Sequence, residues 1–423
     1  MDRSRFVATL AGAALPLSTA RLAFSQAPAP SALSWQALRT LLANYVSAKK
    51  LAGAAVAVAD GAAPLTYLKG GRIALDAEAA FDEHSVCRVY SMTKPVTGLA
   101  AMLLVEAGKL RLDQPVGDVV PELRAPLVAL DPSKGLEARP ATHTMTMRHL
   151  LTHSAGLVYW TPLNDTDALS AAYRVRGITP GNYGAGLTRP GYGPQAVGLD
   201  DMVRRLAEVP LAAEPGMAWR YSVGLDVVGL IIQRISGKPL DVFARERLFE
   251  PLNMASTGFQ VPAAAVSRLT TNYTVTASGL SPLDPRETSV FLKPSTLLAG
   301  GAGLVSTARD FARIGAMLIG DGELGGVRVM KAETARLARS NLLPAAVRFA
   351  GGGYGAGMRV AAGGKTPHDA VGAVSFNGAA GTMWLVDPAR RFNFLFMSQF
   401  MPPTSYPIWT EVDTALEADR ASR

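Results

Sequence analysis

Two apolar hairpins, one near each end of the chain, constrain the fold most strongly. Near the start, short apolar runs at 53–58 and 64–67 are separated by Asp60-Gly61, a dipeptide typical of tight turns. Near the end, apolar runs at 382–386 and 392–401 flank a turn at 387–390. An amphipathic helix precedes the first hairpin and another helix follows the second. The two ends therefore predict one antiparallel sheet flanked by helices.

The middle of the chain must then be an insertion. Helical spacing is found at 147–152, 200–208 and 224–235, joined by long Gly/Pro-rich loops such as 161–198. We therefore predict an α/β fold of the α+β type with two domains. A sheet domain comprises 28–115 plus 286–423, and an inserted, mostly helical domain comprises 116–285. Long loops usually carry function, so 161–198 is expected to form a wall of a substrate cleft.

The first residues have the pattern of an export signal. Arg3 and Arg5 precede an apolar run at 6–17, and small residues at 25–27 end the segment. This predicts a signal peptide at 1–27 and a periplasmic or secreted mature chain. Ser4 separates the arginines, so both the general and the twin-arginine routes stay open. The apolar run is shorter than the roughly 20 residues that span a bilayer, so we expect no stable membrane span.

Cysteine content and charge exclude two further classes. Cys87 is the one cysteine of the 423 residues, so no intramolecular disulfide can form. Its neighbours Val86 and Val89 indicate a buried structural thiol. The formal charge of +8 is modest for this length, and its basic residues are scattered. Nucleic-acid binding is therefore not expected, and the oligomeric state is not evident from the sequence.

A nucleophile is indicated at the start of an apolar helix. Ser91-Met92-Thr93-Lys94 is followed by Pro95, which is tolerated only in a first helical turn. Residues i and i+3 are roughly 5–6 Å apart at Cβ, so Lys94 lies beside the Ser91 hydroxyl. Lysine can activate serine only if burial or positive potential lowers its pKa from roughly 10.4. The tetrapeptide alone is weak evidence, because Ser47-Ala48-Lys49-Lys50 has the same spacing.

Histidines provide a competing hypothesis that is less well supported. His149 and His153 are four residues apart and would share one helix face, but His-Glu-x-x-His is absent and no third metal ligand is evident. We interpret both as packing and hydrogen-bonding residues at a helix end. Gly-x-Ser-x-Gly is also absent, which argues against an α/β-hydrolase triad. No metal or organic cofactor is expected.

The motifs together resemble the class C β-lactamases and the related family VIII carboxylesterases. They occur in the family's order over nearly the whole chain after residue 27: Ser91-Met92-Thr93-Lys94-Pro95, 106–110 with Leu112-Asp113, 148–157, Pro215-Gly216, Tyr221-Ser222, 251–254, 301–304 and 378–382. The resemblance implies a β-lactamase/transpeptidase-like fold. It also implies that Ser91 is acylated, that Lys94 accepts its proton and that Tyr221 shares this proton network.

The third motif implies the remaining site residues. The residues that match it are Phe376-Asn377-Gly378, followed by Ala379. By resemblance, the backbone N–H groups of Ser91 and Ala379 form the oxyanion hole. Phe376, Asn377 and Gly378 are expected to bind substrate, as is Val223 of the second motif.

Two departures from the lactamase pattern favour neutral esters. Phe376 stands where lactamases have the lysine that pairs with a substrate carboxylate, and Val223 stands where they have an asparagine. We therefore expect a carboxylesterase acting on neutral, short-chain small-molecule esters. A β-lactamase or D-alanyl peptidase, an acyltransferase, and a non-catalytic binding protein on the same fold are the alternatives.

Overall fold

Seven strands contributed by both chain ends form the main sheet. A computed structural model describes residues 34–160, 167–181, 191–364 and 366–422. The strand order is β11-β12-β13-β14-β15-β1-β2, with every neighbouring pair antiparallel. The strands are β1 (Gly53–Ala59), β2 (Thr66–Gly71), β3 (Cys87–Arg88), β4 (Leu127–Ala129), β5 (Ala138–Pro140), β6 (Asn272–Thr276), β7 (Gly279–Asp284), β8 (Val305–Ser306), β9 (Glu323–Leu324), β10 (Val327–Arg328), β11 (Gly353–Tyr354), β12 (Arg359–Val360), β13 (Val374–Asn377), β14 (Met383–Asp387), β15 (Phe392–Met397) and β16 (Phe400–Met401).

Helices cover this sheet and fill the middle of the chain. They are α1 (Gln36–Ser47), α2 (Thr93–Glu106), α3 (Met147–Leu151), α4 (Ala168–Val175), α5 (Gly198–Leu206), α6 (Gly224–Ser236), α7 (Leu240–Ala244), α8 (Ala308–Ile319), α9 (Ala332–Ala338) and α10 (Ile408–Ala421). Helices α1 and α10 pack together, and α8 packs on β1, β14 and β15. The predicted antiparallel sheet flanked by helices is confirmed. Within the described residues, no helix is long and apolar enough to cross a membrane.

The hairpins at the two ends pair with each other inside the sheet. Strand β1 pairs with β15, placing Ala57 opposite Leu395, and both strands are almost wholly buried. Burial on both faces explains why these strands are continuous apolar runs rather than alternating ones. The predicted second strand of the last hairpin is too long, because residues 398–399 interrupt it. Phe400 and Met401 leave the sheet as β16 and pair in parallel with β6.

Three expectations for the middle of the chain need correction. The predicted loop at 161–198 contains helix α4, whose first turn is capped by the Asp167 carboxylate accepting from the Ser170 N–H at 2.7 Å. The apolar face of α4 includes the buried residues Leu169 and Tyr173. The Gly and Pro residues on either side make this helical pattern hard to recognise in the sequence. Helix α3 ends at Leu151, so His153 lies outside it. The predicted helical insertion also contains hairpins β4–β5 and β6–β7.

The domain division at 115/116 and 285/286 stays a prediction. From Ser34 onward the chain forms one compact unit. One apolar core includes residues of the sheet and of α2, α5 and α6. The predicted signal peptide at 1–27 lies outside the described residues, as do 161–166 and 182–190 of the predicted cleft wall. Cys87 is fully buried, which raises the pKa of its thiol to about 12 and agrees with a structural role.

Candidate active site

The predicted nucleophile lies on a tight turn that leads into a buried helix. A 3-10 turn, Tyr90–Met92, precedes α2, and Tyr90 has a positive φ of 41°. Such backbone strain in a non-glycine residue is typical of functional sites. Ser91 is 9% exposed and Lys94 is 0% exposed. The turn therefore leaves the serine at the edge of solvent while the lysine is inside the protein.

Burial controls the protonation of Lys94. Its Nζ donates a hydrogen bond to the Gly301 carbonyl at 2.8 Å and lies 4.6 Å from the centre of the Tyr221 ring. Loss of solvation lowers the pKa of Lys94 to about 7, and the charge of Asp226 opposes this shift. A substantial fraction of the amine is therefore neutral near pH 7, as a general base requires.

Tyr221 is brought to the serine from the middle of the chain. Its hydroxyl donates a hydrogen bond to Ser91 Oγ at 2.9 Å, across 130 positions of sequence. Two ring contacts fix the phenol, with centroids 4.7 Å away for His153 and 4.8 Å away for Tyr159. The structure therefore brings Ser91, Lys94 and Tyr221 together.

The second Ser-x-x-Lys match differs, because Ser47 is exposed and its hydroxyl donates to the Asn44 carbonyl.

Strand β13 brings the third motif to the same turn. Gly378 comes directly after this strand and lies very close to the Ser91 turn. A Cβ at Gly378 would lie 2.5 Å from the Val89 carbonyl oxygen. Ala379 packs against the small cluster that contains Tyr90. Phe376 and Asn377 are half-buried, and the Phe376 ring centre is 6.4 Å from that of Tyr221. These residues are thus adjacent to Ser91, and their roles stay proposals.

Val223 occupies a different kind of position. It is fully buried in the main core, and its N–H donates to the Val158 carbonyl at 3.2 Å where α6 begins. Its side chain therefore packs in the core instead of presenting a surface to solvent. The sequence indicated an apolar replacement at this position but could not show the direction of the side chain.

His149 in α3 and His153 just after it have separate structural partners. His149 Nδ1 accepts from the Thr146 N–H at 3.2 Å at the start of α3, and burial lowers the pKa of His149 to about 4. His153 has a positive φ of 57°, and its Nδ1 lies 2.9 Å from Ser222 Oγ. Burial keeps its pKa well below the usual range. The prediction that this pair shares one helix face is wrong, because α3 ends before His153, whose backbone is left-handed.

Sequence reasoning missed Asp226 and a set of aromatic rings. Asp226 is 0% exposed, and its Oδ1 accepts from the Gly301 N–H at 3.0 Å. An acidic residue inside an otherwise apolar helix was the available signal. Trp219 is one of the rings beside Tyr221. Phe349 packs on Trp219, with 4.4 Å between the two ring centres. Among the described residues, no group of three or more His, Cys, Asp and Glu side chains could hold a metal ion.

Comparisons with known proteins identify the family of the chain. Residues 38–415 match the Beta-lactamase family. A protein from Mycobacterium tuberculosis is 33% identical over 346 residues, covering 78% of this chain and 81% of that protein. Esterase EstB from Burkholderia gladioli is 29% identical over 368 residues, covering 83% of this chain and 86% of EstB.

Solved structures share the fold. The structure of EstCE1, described as a hydrolase with promiscuous acyltransferase activity, superimposes with a TM-score of 0.70 at 23% identity, covering 91% of this chain and 99% of EstCE1. A penicillin-binding protein homologue from Caulobacter crescentus gives a TM-score of 0.64 at 20% identity, covering 91% of this chain and 97% of the homologue. A match across most of the sequence and a shared fold lead to one conclusion: the chain belongs to the Beta-lactamase family, within the serine β-lactamase-like superfamily.

Proposed function

We propose that this protein is a serine carboxylesterase of the family VIII type that hydrolyses neutral, short-chain carboxylic esters. The observation that carries the proposal is the hydrogen bond from the Tyr221 hydroxyl to Ser91 Oγ at 2.9 Å, beside a buried lysine. A serine becomes nucleophilic when adjacent groups can accept its proton. The relationship to Esterase EstB supports the choice of ester chemistry.

The reaction would proceed in two acyl-transfer steps. Ser91 Oγ attacks the ester carbonyl carbon while its proton passes to the Lys94 and Tyr221 network. The carbonyl oxygen becomes an oxyanion, stabilised by the N–H groups of Ser91 and Ala379. The tetrahedral intermediate then expels the alcohol, which takes up the proton. Water repeats the attack on the acyl-enzyme, releasing the acid and restoring the serine.

The surroundings of the site favour neutral substrates. The Phe376 ring lies beside Tyr221, and Phe376 stands where the lactamase pattern has a lysine that would hold a substrate carboxylate. The half-buried rings of Tyr159, Trp219 and Phe349 extend the apolar surface around the phenol. Apolar acyl or alcohol groups would bury area against these rings, whereas a carboxylate would lose solvation without a cationic partner.

A direct comparison of substrates tests the proposal. Turnover of p-nitrophenyl acetate and butyrate should exceed turnover of a cephalosporin, and Ser91→Ala should lower ester turnover by more than about a thousandfold. The matched control is Ser47→Ala, which alters the second Ser-x-x-Lys match and should leave turnover unchanged. Faster cleavage of the cephalosporin would instead indicate a β-lactamase. Absence of both turnover and fluorophosphonate labelling of Ser91 would indicate a binding protein.

Acyl transfer is a second candidate on the same site. EstCE1 is described as having promiscuous acyltransferase activity, and an Acyltransferase calJ from Penicillium decumbens is 29% identical over 246 residues, covering 56% of this chain and 53% of that protein. The half-buried rings around Tyr221 could bind an alcohol that competes with water for the acyl-enzyme. Partitioning of the acyl group between water and an added alcohol measures this activity.

We also propose that the protein is exported, on the pattern of residues 1–27. Amino-terminal sequencing of the protein recovered from a bacterial periplasm or medium would test this. A mature chain beginning near Pro28 is expected, and recovery of the intact Met1 terminus from the cytoplasm would contradict it.

A further inference from the structure

A buried carboxylate lies on the far side of the loop that binds Lys94. Asp226 is in the first turn of α6 and is 0% exposed. Its Oδ1 accepts from the Gly301 N–H at 3.0 Å, while its Oδ2 is buried with no hydrogen-bond partner. A buried carboxylate without full hydrogen bonding is destabilising unless another interaction compensates for it. A role in packing alone therefore does not account for this side chain.

The compensating group is Lys94, linked to Asp226 through one residue. Gly301 donates its N–H to Asp226 and offers its carbonyl to Lys94 Nζ at 2.8 Å. A Cβ at Gly301 would lie 2.7 Å from Asp226 Oδ2, so only glycine allows this close approach. Helices α2 and α6 pack together, so both ends of the link are held by rigid elements. The amine is thereby held at the Gly301 carbonyl, 4.6 Å from the centre of the Tyr221 ring.

The electrostatic effect of Asp226 opposes that of burial. Its charge raises the pKa of Lys94, while Lys94 lowers the pKa of Asp226, which burial raises to about 6. His153 and Tyr221 also border the amine, and Tyr354 interacts with Tyr221. The other helices packed on α2 carry three charged residues: Asp241, Glu333 and Arg336. Glu333 and Arg336 are exposed and Asp241 is half-buried, whereas Asp226 is fully buried and is the acid whose charge acts on Lys94.

We propose that Asp226 is a positioning residue that fixes both the place and the charge of the Lys94 amine through Gly301. It touches no reacting atom. Without the carboxylate, the ammonium form of Lys94 loses its buried counter-charge, so the amine becomes neutral at lower pH and is also less firmly held. This inference rests on the proposed function, because it assigns Lys94 as the base for Ser91.

The test is the pH dependence of ester cleavage. We would measure kcat/KM for p-nitrophenyl butyrate from about pH 5 to about pH 9 in the wild type and in Asp226→Asn. Asparagine keeps the acceptor for Gly301 N–H and removes the charge. The acidic limb should move to lower pH by roughly one to three units, the effect expected for loss of a nearby opposite charge. Asp226→Ser supplies the same comparison if the asparagine variant does not fold.

Thr97→Val is the matched control. Thr97 lies on the same helix as Lys94, and its hydroxyl donates to the Gly300 carbonyl at 2.7 Å, in the same loop but without charge. This variant should leave the acidic limb in place even if kcat falls. An Asp226→Asn enzyme whose limb is also unmoved would overturn the proposal and leave Asp226 a packing residue.

A second measurement separates this inference from the proposed function. The Lys94 ammonium can be titrated by ¹⁵N NMR, with the resonance assigned by its loss in Lys94→Met. A lower pKa of Lys94 in Asp226→Asn than in the wild type would support the charge effect even in a chain that cleaves no ester. Equal titration in the two proteins would overturn it, whereas lack of wild-type cleavage alone would count against the esterase proposal.

Discussion

The proton carried by Lys94 governs the chemistry expected at the scale of single residues. The amine is fully buried, and desolvation favours its neutral form. The amine donates one hydrogen bond to the Gly301 carbonyl and also lies close to the Tyr221 ring. Under the proposed mechanism, a small change in pH therefore changes the fraction of protein that can deprotonate Ser91.

The first prediction concerns the pH dependence of the wild type. Below about pH 7 the amine holds its proton and cannot act as a base, so kcat/KM should fall by about tenfold per unit as the pH decreases. Above that value the neutral form dominates and activity should be retained. Steady-state kinetics across this range provide the measurement. Lys94→Arg, which stays charged at every pH, should be inactive throughout, and a flat wild-type profile would count against Lys94 as the base.

The second prediction isolates the phenol hydroxyl. Tyr221→Phe keeps the ring contacts with His153 and Tyr159 but removes the hydrogen bond to Ser91. Ester turnover should fall by about a hundred- to ten-thousandfold, a range typical of acid–base groups, with little change in Tm. Tyr354→Phe removes a neighbouring buried phenol and should retain most of the activity. Similar losses in the two variants would indicate that packing, not the hydroxyl, matters.

Close backbone contacts position the active helix at the scale of secondary-structure elements. A Cβ at Gly98, within α2, would lie 2.0 Å from the Ala356 carbonyl oxygen. A Cβ at Gly357 would lie 2.5 Å from the Lys94 carbonyl oxygen. Helix α2 therefore rests directly on the backbone between β11 and β12, and the location of Ser91 and Lys94 depends on this contact.

The third prediction follows from that contact. Gly98→Ala should force α2 away from Ala356 and lower the free energy of unfolding by about 1–3 kcal/mol, the usual cost of overpacking. Turnover should fall as well, since Lys94 moves with the helix. Gly70→Ala is the control, because its Cβ would make ordinary contacts of 3.7 Å or more. Denaturant unfolding measures the free energy of unfolding of the two variants. Equal stability of the two would show that the helix can adapt.

The two chain ends depend on each other at the scale of the whole molecule. Asp419, near the end of α10, is 5% exposed, and its carboxylate accepts from the N–H groups of Ala37 and Leu38 at 2.8 and 3.0 Å. These N–H groups belong to the first turn of α1, so they have no hydrogen-bond acceptor within the helix. A negative charge at this end of a helix is favourable. A residue at the carboxyl end thus caps a helix at the amino end.

The fourth prediction tests this closure. Asp419→Ala should lower the free energy of unfolding by about 1–3 kcal/mol, because one buried and one partly buried N–H group lose a charged acceptor. The activity of the folded protein should be almost unchanged, since Asp419 belongs to no part of the Ser91 site. Thermal unfolding and ester turnover measure the two effects. Glu417→Ala, at an exposed position of the same helix, is a control for general loss of charge, and an equal loss of stability would contradict a specific capping role.

The sequence by itself determined the sheet and most of the helices, and it predicted Ser91, Lys94 and Tyr221 as the site residues. Apolar runs of strand length at both ends and a proline in the first turn of α2 are local patterns, so they could be recognised without coordinates. The amphipathic face of α4 was hidden because short helices bounded by Gly and Pro have weak patterns. The division of the β16 segment from β15 was hidden because both are equally apolar.

Only the tertiary structure decided how charge is distributed around Ser91. The distance between Tyr221 and Ser91, the link from Asp226 through Gly301 to Lys94, and the inward direction of Val223 join residues that are far apart in the chain. Sequence patterns report local periodicity, whereas desolvation and hydrogen bonding depend on which distant segments pack together. The lowered pKa of Lys94 is a property of that packing, which is why the spacing of serine and lysine alone could not establish it.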